Sequence, residues 1–167
     1  MSIAREVSIM LVQKVAEFLA AHHVSYRTQQ HKPAFSAQEV AEQAHISGHK
    51  VAKTVVIKLD GKMALCVLPA TERVNFSMLR HAAGSHTAEL ATEDEFANHF
   101  PACEPGAVPP FGNLYGLPVY AMETLKAGKT LAFNSGDASE LLVLEWEDFT
   151  ELVRPVVLTE QQRAAIA

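Results

Sequence analysis

Two apolar runs, Ala52 to Leu59 and Lys62 to Leu68, are separated only by Asp60-Gly61. Asp-Gly is a favoured two-residue link between antiparallel strands, because both residues tolerate the backbone such a turn needs. The segment therefore reads as a tight β-hairpin, and the rest of the chain has to be built around it. It excludes a regular parallel α/β array, in which consecutive strands are joined by helical crossovers.

The flanking sequence supplies helices and further strands at uneven spacing. Val7 to His22 carries apolar residues at helical spacing, with Met10, Leu11, Val15, Phe18 and Leu19 on one face. Val24 to Thr28 alternates as a short strand. Ser36 has the position of an N-cap, with Glu39 as its capping-box partner, opening a short helix from Ala37 to Ala44 that Ser47-Gly48 ends. After the hairpin the pattern predicts a helix over Thr71–His81, a strand over His86–Leu90 and a helix over Glu93–His99 capped by Thr92. Pro101 to Gly112 is loop. Strands follow at Val119–Met122, Thr130–Asn134 and Leu141–Leu144, with a turn at Gly136-Asp137. Trp146 to Val153 reads as a helix, and the Ala-rich tail from Thr159 as a frayed one. The expectation is a single α+β domain spanning residues 1–167, with a mixed sheet and helices packed round it.

Composition agrees with a globular protein. Of 167 residues, 49% are hydrophobic and 20% charged, enough apolar side chains to bury a core without disulfides or metal. No apolar run approaches the roughly 20 residues of a bilayer span, and the first residues lack the pattern of a secretion signal, so a cytoplasmic location is expected. Cys66 lies in a strand-like run and Cys103 in a proline-flanked loop. They form no metal-ligand spacing, and no metal or cofactor is expected.

The net charge of −5 argues against broad affinity for nucleic acid, DNA included. The charge is nevertheless uneven. Residues 27–80 hold eight Lys and Arg against four Asp and Glu, whereas residues 81–167 hold four against thirteen. A local basic face carrying Lys50, Arg73 and Arg80 could hold a few phosphates. On the expected helix Arg73 and Arg80 are seven apart and share a face.

Lys53 is the most informative single residue. It begins an apolar strand, where a buried ammonium is costly unless something anionic meets it. About fifty residues later, Gly106-Ala107-Val108-Pro109-Pro110-Phe111-Gly112 forms a proline-stiffened loop with glycine at both ends. A cation and a rigid loop with free amides suit a phosphate-bearing ester. The bland readings are a snorkelling strand lysine and an ordinary turn.

These pieces, in order, resemble the YbaK family, the editing domain associated with prolyl-tRNA synthetase. The resemblance rests on His31-x-Pro33 with Ser36 to Val40, on Val51 to Val56 with the Asp60-Gly61 hairpin, and on Gly106-x-x-x-Pro110-x-Gly112 with Leu117 to Tyr120. It implies a barrel-like mixed sheet surrounded by helices. It also implies deacylation of mischarged tRNA, typically a small amino acid such as Ala, Cys or Ser, on proline tRNA or another. The family's lysine falls on Lys53 and its GxxxP loop on Gly106 to Pro110. Some branches carry histidine in the strand that here reads Leu131 to Gly136, where this chain has Asn134.

An aminoacyl ester is already activated, so its hydrolysis needs placement, an oxyanion partner and a directed water. Lys53 would grip the terminal phosphate or ribose, and amides of the Gly106–Gly112 loop would meet the oxyanion. His31, Phe35, Ser36, Pro110, Phe111, Asn134 and Ser135 would line the substrate pocket. Phe111 and Tyr115 could stack on the adenine. No GxSxG elbow is present, so no covalent intermediate is expected, and the substrate's vicinal hydroxyl could activate the water. Acting in trans, the protein would meet the acceptor end of a mischarged tRNA, with a synthetase as a further partner and no membrane. Two other readings stay open: a non-catalytic module that binds an aminoacyl-adenosine or nucleotide end or attends a synthetase, and a metal hydrolase using scattered histidines.

Overall fold

The computed structural model describes residues 13–31, 39, 41–42, 44, 48, 50–100, 108–134 and 139–159. The elements run α1 (13–21), β1 (Arg27–Gln30), β2 (Ala52–Leu59), β3 (Lys62–Pro69), α2 (Phe76–Ala83), β4 (Ala88–Leu90), α3 (Glu93–His99), β5 (Val119–Met122), β6 (Thr130–Asn134), β7 (Glu140–Glu145), α4 (Trp146–Val153) and β8 (Val156–Leu158). Short 3-10 turns cover Gly112–Leu114 and Glu123–Gly128.

The hairpin is the spine. β2 and β3 pair antiparallel over their full length, from Ala52 opposite Pro69 to Leu59 opposite Lys62. Asp60 and Gly61 take φ of 50° and 80°, so the turn has positive φ at both central residues, as Asp-Gly links favour. The Asp60 carboxylate also accepts hydrogen bonds from the backbone amides of His86 and Thr87, which anchors the chain entering β4.

One sheet has the order β4-β2-β3-β5-β8 and the other β1-β7-β6. β5 runs parallel to both β3 and β8, whereas the remaining pairs are antiparallel, so the architecture is mixed α+β as expected. Neither sheet closes on itself among the described residues. They join through one parallel bridge, Val51 to Ala132, flanked by the Ala132 N–H donating to the Lys50 carbonyl at 2.8 Å.

Strand alternation sorts the side chains into two sets. Ala52, Val56, Leu65 and Val67 face the larger core with Phe100, Phe111, Val119, Leu131, Phe133, Leu142, Leu144, Trp146 and Phe149, closed by Val15 and Leu19 of α1. Ile57, Ala64, Cys66 and Leu68 face the opposite way, under Met78 and Leu79 of α2. Burying such side chains contributes about 1.5–3 kcal/mol each, which is why both faces of the hairpin are apolar.

Several boundaries differ from the sequence expectation for local reasons. The first strand starts at Arg27 rather than Val24, because the Val24 N–H closes α1 on the Leu19 carbonyl and His23 turns the chain with φ of 57°. The helix expected from Thr71 begins at Phe76. The chain first turns, with Glu72 N–H donating to the Pro69 carbonyl, and Asn75 then caps the helix by accepting from the Met78 amide at 3.0 Å. Arg73 and Arg80 therefore do not share a helix face: Arg73 lies in the loop and only Arg80 in α2. β4 starts at Ala88, after the pair of residues that Asp60 holds. β8 was not expected, since three residues are too few to show a period. Thr92 caps α3 as expected, and Glu95 returns the bond to the Thr92 amide, completing a capping box. Residues 39 and 41–42 are helical, in line with the expected short helix. Ser36, the Gly136-Asp137 turn, Cys103, residues 7–12 and the tail beyond Thr159 lie outside the described residues.

Candidate active site

The two sheets meet at the Val51–Ala132 bridge. Two residues further along each chain stand Lys53 on β2 and Asn134 at the end of β6. Because side chains alternate, both point to the same side as Val51 and Ala132. Register extends this side across the three-stranded sheet. Asn134 lies opposite Leu141, which lies opposite Gln29, and the His31 amide donates to the Ser139 carbonyl at 2.9 Å just beyond. His31 thus follows Gln29 on the same side, at the same rim as Asn134. A small apolar floor of Ala41, Ala44, Val51, Ala70, Ala132, Leu141 and Val143 underlies this region.

Lys53 is half-buried. Desolvation holds its ammonium below the ordinary lysine value, with smaller effects from Cys66, Arg73 and Glu72. Arg73 disfavours the charged form and Glu72 favours it. Cys66 would favour it only as a thiolate, and burial pushes the Cys66 thiol up to about 12. At neutral pH the sulfur beside Lys53 is therefore a neutral thiol, which makes it a poor nucleophile.

An open cavity of about 570 Å³ lies along Glu72, Arg73, Val74, Asn75, Phe76 and Ser77. Two of those residues, Glu72 and Arg73, act electrostatically on Lys53, which is not itself among the lining residues. Arg80 approaches the cavity from α2, its guanidinium donating to the Ser77 hydroxyl at 3.1 Å. Sequence reasoning missed Glu72. Its only signal was a carboxylate three residues past the end of the hairpin strand, which a helix assignment had absorbed.

The proline loop is placed differently from the expectation of a single cleft. Val108 and Phe111 are buried in the larger core, on the face of β2–β3 away from Lys53. Phe111 is fully enclosed, its ring 5.6 Å from that of Phe18 and 5.2 Å from that of Phe133, so it packs rather than presenting a face to a base. Tyr115 likewise stacks edge-on against Phe100 at 4.6 Å. Pro109 and Pro110 are buried and carry no N–H. Gly112 has a packing reason to be glycine: a Cβ there would lie 2.1 Å from the Leu117 carbonyl oxygen. The described part of the loop thus braces the core. Gly106, Phe35, Ser36 and Ser135 lie outside the described residues. Lys50 is exposed just before β2, three residues ahead of Lys53. Among the described residues, no three His, Cys, Asp or Glu side chains converge as a metal site would require.

The chain is thus a mixed two-sheet α+β domain with a shielded lysine at the seam between its sheets. The aminoacyl-tRNA editing domain model matches residues 31–152, and the chain belongs to that family. Solved structures share the fold. A hypothetical protein superposes with a TM-score of 0.78 at 23% identity, covering 86% of this chain and 96% of its own. A provisionally assigned trans-editing enzyme for prolyl tRNA synthetase gives 0.74 at 19% identity, covering 94% and 96%. A protein from Marinobacter aquaeolei, provisionally assigned to signal transduction, gives 0.66 at 14% identity, covering 86% of this chain but 29% of its own. None of the curated proteins matches the chain in sequence. No helix among the described residues is long and apolar enough to cross a membrane.

Proposed function

We propose that this protein is a trans-acting deacylase that hydrolyses the ester of a mischarged tRNA. Its substrate is a small amino acid, Ala, Cys or Ser, carried on proline tRNA. Membership of the editing-domain family supports the reaction class. The fold shared with a structure described as serving prolyl tRNA synthetase favours the tRNA. The observation that carries the reading is the half-buried Lys53 ammonium at the sheet seam, on the side shared with Asn134 and His31 and under the electrostatic influence of Glu72 and Arg73 from the lining of the Glu72–Ser77 cavity.

In this reading Lys53 holds the terminal phosphate or ribose as a point charge strengthened by partial desolvation. Water attacks the ester carbonyl, the C–O bond to the ribose breaks, and the water's proton ends on the departing ribose oxygen. The neighbouring ribose hydroxyl relays that proton. Asn134 and His31 receive the aminoacyl amine. Glu72 favours the Lys53 ammonium and Arg73 opposes it, desolvation by burial being the largest influence. Cys66 takes no covalent part, because its thiol stays protonated far above neutrality.

A deacylation screen of Ala, Cys and Ser on proline tRNA tests the proposal. Turnover of at least one is expected. Binding of each mischarged tRNA without any turnover would favour the non-catalytic module instead.

A further inference from the structure

Three lysines from two distant segments of the chain emerge at one corner of the molecule. Lys50 leads into β2, and its carbonyl is held by the Ala132 N–H. Lys126 lies in the Glu123–Gly128 turn, and Lys129 follows that turn immediately before β6. A Cβ on Gly128 would lie 3.2 Å from Lys50 Cγ, so the Lys50 stem lies against the Gly128 backbone, between Lys126 and Lys129 in the chain. The Lys129 amide donates to the Lys126 carbonyl at 3.0 Å, and its own carbonyl accepts from Trp146 at 2.8 Å, which fixes the turn. All three lysines are exposed. None makes a side-chain ion pair or hydrogen bond among the described residues, even with Glu123 on the turn or Glu145 opposite Thr130.

We propose that Lys50, Lys126 and Lys129 form a phosphate-binding corner for the acceptor stem of tRNA; this rests on the deacylase reading and extends it. Exposed, unpaired ammonium groups on a braced backbone can displace the counterions of a polyphosphate at little reorganisation cost. The corner lies three residues from Lys53 along β2, about 10 Å at ~3.3 Å per residue, so a single-stranded 3′ end could reach the seam while the stem rests on the lysines. On a chain of net charge −5 such a local patch, rather than the overall field, would supply the attraction.

The test is binding of uncharged proline tRNA across a salt series, which needs no catalysis. Lys50→Gln/Lys126→Gln/Lys129→Gln should lose about tenfold affinity at low salt, and its log–log salt slope should become shallower by about 2. An exposed control, Lys14→Gln/Lys62→Gln, should match wild type. Lys129→Gly removes one charge where φ is 61°, a conformation glycine adopts without strain, so weakened binding by it cannot reflect unfolding. With charged tRNA the triple variant should raise KM and leave kcat unchanged. Equal slopes and equal KM in the triple variant and wild type would overturn the corner alone. Failure of wild type to bind tRNA at any salt would overturn the deacylase reading with it.

Discussion

Lys53 and Asn134 each stand two residues beyond the Val51–Ala132 bridge, on adjoining parallel chains and on the same side of them. Beyond the bridge the two strands belong to separate sheets, so these residues stand at the seam between them. A lysine there is shielded enough to be perturbed and open enough to meet a ligand.

The electrostatics of Lys53 give a pH signature. Its folded pKa is depressed, so activity that needs the ammonium should fall, as pH rises, earlier than an ordinary lysine would allow. Glu72 favours the charged form and Arg73 disfavours it. Glu72→Gln should therefore move the alkaline limb of kcat/KM to lower pH, and Arg73→Gln should move it to higher pH. A pH–rate profile of the three proteins checks both directions.

Gly112 separates packing from catalysis. Its missing side chain leaves room for the Leu117 carbonyl, and backbone cannot easily move aside. Gly112→Ala should cost about 1–3 kcal/mol or more in chemical denaturation. At a temperature where the variant remains folded, kcat should stay close to wild type. A large kcat loss in fully folded protein would return Gly112 to the site.

Cys66 links burial to alkaline stability. Its folded pKa is about 12, above that of a free thiol near 8.5, so between those values the folded state binds more protons than the unfolded one. The thiol's contribution to stability is whole below about 8.5. It then declines by about 1.4 kcal/mol per pH unit as pH rises towards the folded value. Cys66→Ala should flatten that decline relative to wild type, although the variant starts from lower stability because of its cavity. Denaturant melts from pH 8 to 10.5 provide the comparison.

The hairpin was legible because Asp60-Gly61 is a local signal, and the helices Glu93–His99 and Trp146–Val153 because their caps or periods lie within one window. Lys53 stood out because a lysine in an apolar strand conflicts with its neighbours. What stayed hidden was set by distance along the chain. The proline loop looked like a ligand clamp, but Phe18 and Phe133, remote in sequence, claim Phe111 for the core. Lys126 and Lys129 fall in the acidic part of the chain, where a running charge count discards them, and only the bridge to β6 brings them to Lys50. The Thr71–His81 helix failed because the Pro69 turn and the Asn75 cap delay its start.

The most direct measurement is single-turnover hydrolysis of alanyl-tRNA carrying the proline anticodon, by wild type, Lys53→Ala and Lys53→Arg, with melting curves as folding controls. If the seam ammonium grips the 3′ end, Lys53→Ala loses at least about a hundredfold in rate, roughly 3 kcal/mol of barrier, and Lys53→Arg recovers part of it. Rates in folded Lys53→Ala equal to those of wild type would contradict the assignment of the site to Lys53.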